Sequence, residues 1–252
     1  MTVKYYEGRE ALVHGKITEK PLRERPSTPS WVLKLIMAVT GVIFGLFVFV
    51  HMVGNLKVFL PDTNGVNHIN DYAHFLRTMG EPLMPAMSVL WIFRIVLFVS
   101  IVLHIYSALT LYMRGRESRG KFRRSGLIGG LNSFAARTMV VTGIVLLLFI
   151  IFHLLDLTIG AQPMAPATWT EGDAFGNLIG TFSRWPVALI YIVAMLILFL
   201  HLSHGLWTAV SDLGIVGRKW RATLLFISYL LPAAVLVGNI VIPIAVLAGW
   251  IG

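Results

Sequence analysis

Residues 40–51 read TGVIFGLFVFVH, and residues 142–153 read TGIVLLLFIIFH. Each stretch opens with Thr-Gly, continues through an uncharged apolar run, and ends on a histidine eleven residues after the threonine. Neither run alternates with period two, which disfavours a barrel strand and predicts an apolar helix. A histidine inside such a helix is an ionisable group at membrane depth, where such groups are rare and usually functional. A fainter echo links His104-x3-Ala108-Leu109 to His201-x3-Gly205-Leu206. The first two apolar runs thus read as duplicated in the third and fourth.

A spanning helix needs about 20 mostly apolar residues. Five runs qualify, at roughly 31–59, 85–113, 134–159, 185–210 and 222–250. The predicted fold is an all-α integral membrane bundle over residues 31–252, preceded by a polar tail, residues 1–30. Composition agrees, with 56% hydrophobic and only 13% charged residues, against about a quarter charged in soluble domains. The tail mixes charges and prolines without an apolar core, so the first run is expected to serve as an uncleaved anchor. Cysteine is absent. Disulfides, thiolate metal sites, cysteine-ligated clusters and covalent c-type haem are thereby excluded.

Lysine and arginine favour the cytoplasmic side of a membrane. Only Lys57, Arg77 and Arg184 fall at one side, with Arg94 inside the second span. The rest of the 21 basic residues lie at the other. The N-terminus is therefore expected in the cytoplasm and the C-terminus outside. The basic face admits two uses, binding of anionic lipid or docking of a soluble partner. Nothing in the pattern points to nucleic acid.

Five of the eight histidines fall in the spans: His51, His104, His153, His201 and His204. With helices alternating in direction, His51 and His153 share one depth, near the outer side. His104 and His201 share another, in the cytoplasmic half. Of the three ways to pair four histidines, only His51 with His153 and His104 with His201 matches the depths. The repeat favours His201 over His204, which reads instead as a hydrogen-bonding neighbour. Zinc would want clustered, usually tetrahedral ligands. Two separate pairs suit two flat macrocycles, each held through both axial positions. Such sites favour electron transfer over dioxygen binding, with potential tuned by burial and hydrogen bonds.

Haem propionates want cationic or hydrogen-bonding partners. Arg137, Arg114 and Ser133 are candidates at the inner level, and Lys57, Asn55 and Arg94 at the outer. Each of these also has an ordinary reading as an interfacial anchor. Gly41 and Gly45 form a small-xxx-small face, read as helix packing. Pro232 and Pro243 are expected to kink the last helix. His14, His68 and His74 read as surface residues.

On these residues the chain resembles the single-chain dihaem cytochrome b anchor of succinate:quinone oxidoreductases, the succinate dehydrogenase and fumarate reductase family. The most specific pieces are HMVGNL at 51–56, NDYAHFL at 70–76, HLLDL at 153–157 and HLSHGLW at 201–207. The resemblance covers essentially all five spans. It implies two haem b groups, ligated by His51 with His153 and by His104 with His201. It implies a flavoprotein and an iron–sulfur partner on the cytoplasmic face, and a cysteine-free chain with a cytoplasmic N-terminus fits a bacterial plasma membrane. It also implies reduction of a quinone, expected to be menaquinone. A quinone pocket wants an apolar cleft with a few donors. Ser133, Arg137, Trp207 and Asp212 are candidates near the inner end, and Asn55, Asn70, Tyr72 and His74 near the outer. Two other classes stay open: the cytochrome b anchor of a hydrogenase or formate dehydrogenase, and a transporter. The duplicated unit has two helices and is parallel, which disfavours an inverted-repeat transporter.

Overall fold

The computed structural model describes residues 27–62, 67–119, 131–215 and 217–252. Most of the polar tail, with His14, and the basic residues Lys121, Arg123 and Arg124 lie outside the described residues. Within them the chain is helical, with no strand. Helix α1 is Ser30–Asn55, prolonged by a tight turn, Leu56–Phe59. Helix α2 is His68–Thr78 and α3 is Ser88–Arg119. Helix α4 is Leu131–His153, and runs into a widened turn, Leu154–Ile159. Helix α5 is Ala174–Phe182, α6 is Trp185–Asp212 and α7 is Arg218–Leu247. Five of these helices, α1, α3, α4, α6 and α7, are long and apolar enough to cross a membrane.

The spans differ from the hydropathy reading mainly at α3. Met87 takes a left-handed backbone (φ 70°), which a right-handed helix cannot include, so α3 starts at Ser88 rather than Pro85. At its other end α3 runs on to Arg119. Hydropathy marks only the length that suits hydrocarbon, whereas backbone bonding continues through residues that prefer water. Ser118 Oγ donates to the Arg114 carbonyl at 2.9 Å within that polar extension.

The bundle is inside-out by soluble standards. Phe98, Val141, Leu148 and Phe226 are largely exposed on helix faces, as lipid-facing side chains should be. Small residues sit where helices meet: Ala38, Gly45, Ser107, Ala194 and Ala245 are buried. This is the packing chemistry of membrane helices, which gain contact by close backbone approach. A Cβ on Gly45 would meet Leu206 Cδ2 at 3.4 Å and Leu202 Cδ1 at 3.6 Å. Gly45 therefore sets how closely α1 approaches α6.

Helix α1 packs against α3, α6 and α7, while α6 packs against α4 and α7. Among the described residues, neither α1 with α4 nor α3 with α6 makes a broad backbone contact. Pro232 and Pro243 lie inside α7, both fully buried.

One end of the bundle is basic and the other is capped by α2, α5 and their loops. The cap has its own apolar core of Val58, Ile69, Leu178, Phe182, Ile242 and Val246. Polar ties hold it in place. Asn70 Nδ2 donates to Asp173 at 3.0 Å, and Asn70 Oδ1 accepts from the Phe175 N–H at 2.9 Å. Asp173 caps α5 by accepting from the Gly176 N–H at 2.9 Å, satisfying a donor that a helix start leaves open. Gly54 lies directly against the Tyr72 ring, where a Cβ would collide. The glycine of HMVGNL and the tyrosine of NDYAHFL are thus two halves of one contact.

Candidate functional site

Four half-buried histidines stand in two pairs between α1, α3, α4 and α6. His51 and His153 have ring centroids 5.9 Å apart, with planes at 86°. His104 and His201 have centroids 6.5 Å apart, with planes at 57°. The ring facing His104 is that of His201. His204 sits one turn further along α6. Each pair bridges two helices that are not in broad contact, α1 to α4 and α3 to α6. No group of three or more His, Cys, Asp or Glu among the described residues is placed to hold a metal ion.

The Thr-Gly repeat serves the pair nearer the basic end. Thr40 Oγ1 lies 3.0 Å from His104 Nδ1, and Thr142 Oγ1 lies 3.0 Å from His201 Nδ1. A hydroxyl has one proton and two lone pairs. Thr40 donates its proton to the Ile36 carbonyl at 2.7 Å, and Thr142 donates to the Met139 carbonyl at 3.0 Å. Each hydroxyl is then left to accept from the Nδ1–H of its histidine. That tautomer leaves Nε2 as the nitrogen with a lone pair. The glycines complete the seat. A Cβ on Gly41 would lie 3.7 Å from His104 Cε1, and one on Gly143 would lie 3.4 Å from His201 Cε1. Gly41 thus flanks a ring, whereas Gly45 packs helices. Phe44 meets His104 edge-on at 6.2 Å.

The pair nearer the cap has different neighbours. His51 stacks on Phe47 with centroids 5.4 Å apart, and His153 stacks on Phe149 at 5.9 Å. His153 Nδ1 lies 3.4 Å from the Tyr191 hydroxyl, which donates to Asp156 Oδ2 at 2.8 Å. Asp156 is fully buried. Its Oδ1 accepts from Arg184 Nη2 at 2.7 Å and from Thr181 Oγ1 at 3.2 Å. The widened turn Leu154–Ile159 carries Asp156 to this position, directly after His153. Turns of this kind occur disproportionately at functional sites.

The chain geometry also fixes the vertical spacing. Thr40 touches His104, and His51 follows Thr40 by eleven residues on the same helix. At about 1.5 Å rise per residue, the two pairs stand about 16 Å apart along the bundle.

The other sequence candidates have neighbours of their own. Arg114 Nη1 donates to the Thr28 carbonyl at 2.8 Å and to Ser30 Oγ at 3.2 Å, tying α3 to the start of α1. Asp212 pairs with Lys34 at 3.0 Å. Trp207 lies under the Arg221 guanidinium at 5.1 Å. Arg137 is exposed on α4, and the Ser133 side chain lies outside the described ones. At the cap, Asn55 donates to Asn239 at 3.3 Å. Tyr72 lies under Lys57 at 5.6 Å and lines an open pocket of 410 Å³ with Lys57, His68, Asp71 and Phe75. Arg94 stacks over Trp91 at 4.9 Å, and His74 is exposed.

A metal–imidazole bond of about 2 Å, plus about 1 Å to each ring centre, places two trans imidazole centroids about 6 Å apart. Both histidine pairs have roughly that spacing, so each stands at a distance compatible with one metal ion between its two rings. Compared with known protein families, with curated proteins and with solved structures, the chain matches none.

Proposed function

We propose that this chain is a dihaem cytochrome b anchor that carries electrons to a membrane quinone for a succinate-oxidising complex. The observation that carries it is the pair of imidazole pairs: two levels, each with centroids about 6 Å apart, each reaching between helices without broad contact. His104 and His201 would hold one haem b and His51 and His153 the other. Haem iron, when bound, supplies reversible one-electron chemistry.

The chain's own residues do the rest. Thr40 and Thr142 hold the Nδ1–H tautomer of His104 and His201, which would leave Nε2 free to bind the haem iron. Gly41 and Gly143 keep the faces beside those rings clear. Phe44, Phe47 and Phe149 pack against the rings of His104, His51 and His153. Ser107, one turn after His104, is buried with its hydroxyl unpartnered among the described residues. It offers a donor to a polar ligand edge at the basic end.

The basic end is the cytoplasmic one on this account, since lysine and arginine concentrate there. It is where a flavoprotein and an iron–sulfur protein would dock. Succinate oxidation is proposed over hydrogen or formate oxidation on the four sequence segments that resemble the succinate:quinone oxidoreductase anchors.

The test is to purify the full chain with its partners in mild detergent and add succinate. Reduction of the b-type absorption, with flavin and iron–sulfur proteins co-purifying, supports the account. A spectrum indifferent to succinate but reduced by hydrogen or formate replaces it with the other anchor class.

A further inference from the structure

The buried carboxylate Asp156 sits one hydroxyl away from His153. It lies within a chain of hydrogen bonds that runs from Arg184 through Asp156 and Tyr191 to the imidazole. The Tyr191 proton is committed to Asp156 Oδ2 at 2.8 Å, so its lone pair faces His153 Nδ1. The basic-end histidines meet neutral threonine hydroxyls at the same atom.

We infer that Asp156, Arg184 and Tyr191 form a relay that sets the redox potential of the cap-end haem through His153, an inference resting on the dihaem account above. A hydroxyl hydrogen-bonded to a carboxylate is a stronger acceptor than one bonded to a carbonyl. It draws the Nδ1–H of His153 outward and makes Nε2 more electron-donating, which stabilises ferric iron. Arg184 opposes this by withdrawing charge from Asp156. The ion pair therefore balances two effects of opposite sign on one ligand. Its interior partner is fully buried, and the Arg184 side chain is 30% exposed at the cap. All three are positioning residues, since none reaches the metal.

The opposing signs separate tuning from mere support. Tyr191 packs edge-on against Phe149, Phe152 and Phe182. Tyr191→Phe keeps those contacts and removes only the hydroxyl, which accepts from His153 and donates to Asp156. The experiment is a redox titration of the full chain, purified with its haem, in four forms: parent, Tyr191→Phe, Asp156→Asn and Arg184→Gln. Each form is repeated with His104→Ala, which leaves only the cap-end haem.

Tyr191→Phe and Asp156→Asn should move one midpoint upward, and Arg184→Gln should move the same midpoint downward. The second midpoint should stay put, and the single-haem forms should show the same shifts. Unmoved midpoints, equal movement of both, or the same sign for Asp156→Asn and Arg184→Gln would overturn the inference. Loss of fold in all three variants would mark the network as a structural staple and overturn it too. A folded parent without haem would overturn this inference together with the dihaem account.

Discussion

Thr40→Val is the most informative single change, because it removes one hydroxyl and keeps the shape of the side chain. The lost group accepts from His104 Nδ1 at 3.0 Å. Its own donation to the Ile36 carbonyl needs no replacement, since that carbonyl also serves the helix ladder. The cost falls on the His104 N–H, which loses its threonine acceptor. Leaving a buried donor unsatisfied costs about 1–3 kcal/mol. An independent route gives the same range: losing the outer partner of a metal-bound histidine weakens binding about 10–100-fold, or about 1.4–2.8 kcal/mol. The basic-end haem should therefore leave Thr40→Val about 10–100 times more readily. The assay is transfer of haem from the purified chain to an excess of a haem-scavenging globin, followed by absorbance. One of the two haems should leave faster and the other at the parental rate. Thr142→Val should weaken the same haem, and Thr40→Ser should restore the parental rate. Equal rates for parent and Thr40→Val, or faster loss of both haems, would refute the tautomer argument.

Three further outcomes follow from the packing. Gly54→Ala forces a Cβ against the Tyr72 ring, so it should destabilise the chain by about 1–3 kcal/mol. Tyr72→Ala in the same chain should recover part of that, read by thermal unfolding in detergent. Gly41→Leu and Gly143→Leu place bulk beside His104 and His201. Each should lower haem content by one per chain while a spectrum of the remaining haem persists. Lys34→Ala breaks a pair whose lysine is 53% exposed. It should change stability by less than about 1 kcal/mol and leave haem content unchanged.

The spans were legible because hydrocarbon imposes a length and a polarity that few residues can meet. Their ends were less so. The left-handed Met87 and the polar continuation of α3 past Met113 leave no mark on hydropathy. The histidine pairs that depth and repetition single out are the rings the structure sets side by side. Depth along a helix counts out at a fixed rise, so the sequence carries it. What a side chain meets across the bundle does not count out in that way. The Thr-Gly repeat was visible, but its targets, His104 and His201, lie on other helices. Asp156 stood out as an acid beside His153, while its partners lay 28 and 35 residues away. Arg184 at a span end reads as an ordinary interfacial cation, and nothing in the sequence separates Tyr191 from other belt aromatics. Asp212 had a polar role open to it in the sequence, and the structure gives it to Lys34.

The central claim is that the two imidazole pairs hold two haems. The direct measurement is haem per purified chain, with a reduced-minus-oxidised spectrum, on the parent and on His51→Ala and His104→Ala. Two b-type haems in the parent, and one in each variant with distinct spectra, is the predicted result. A folded, helical parent that carries no haem would contradict the account.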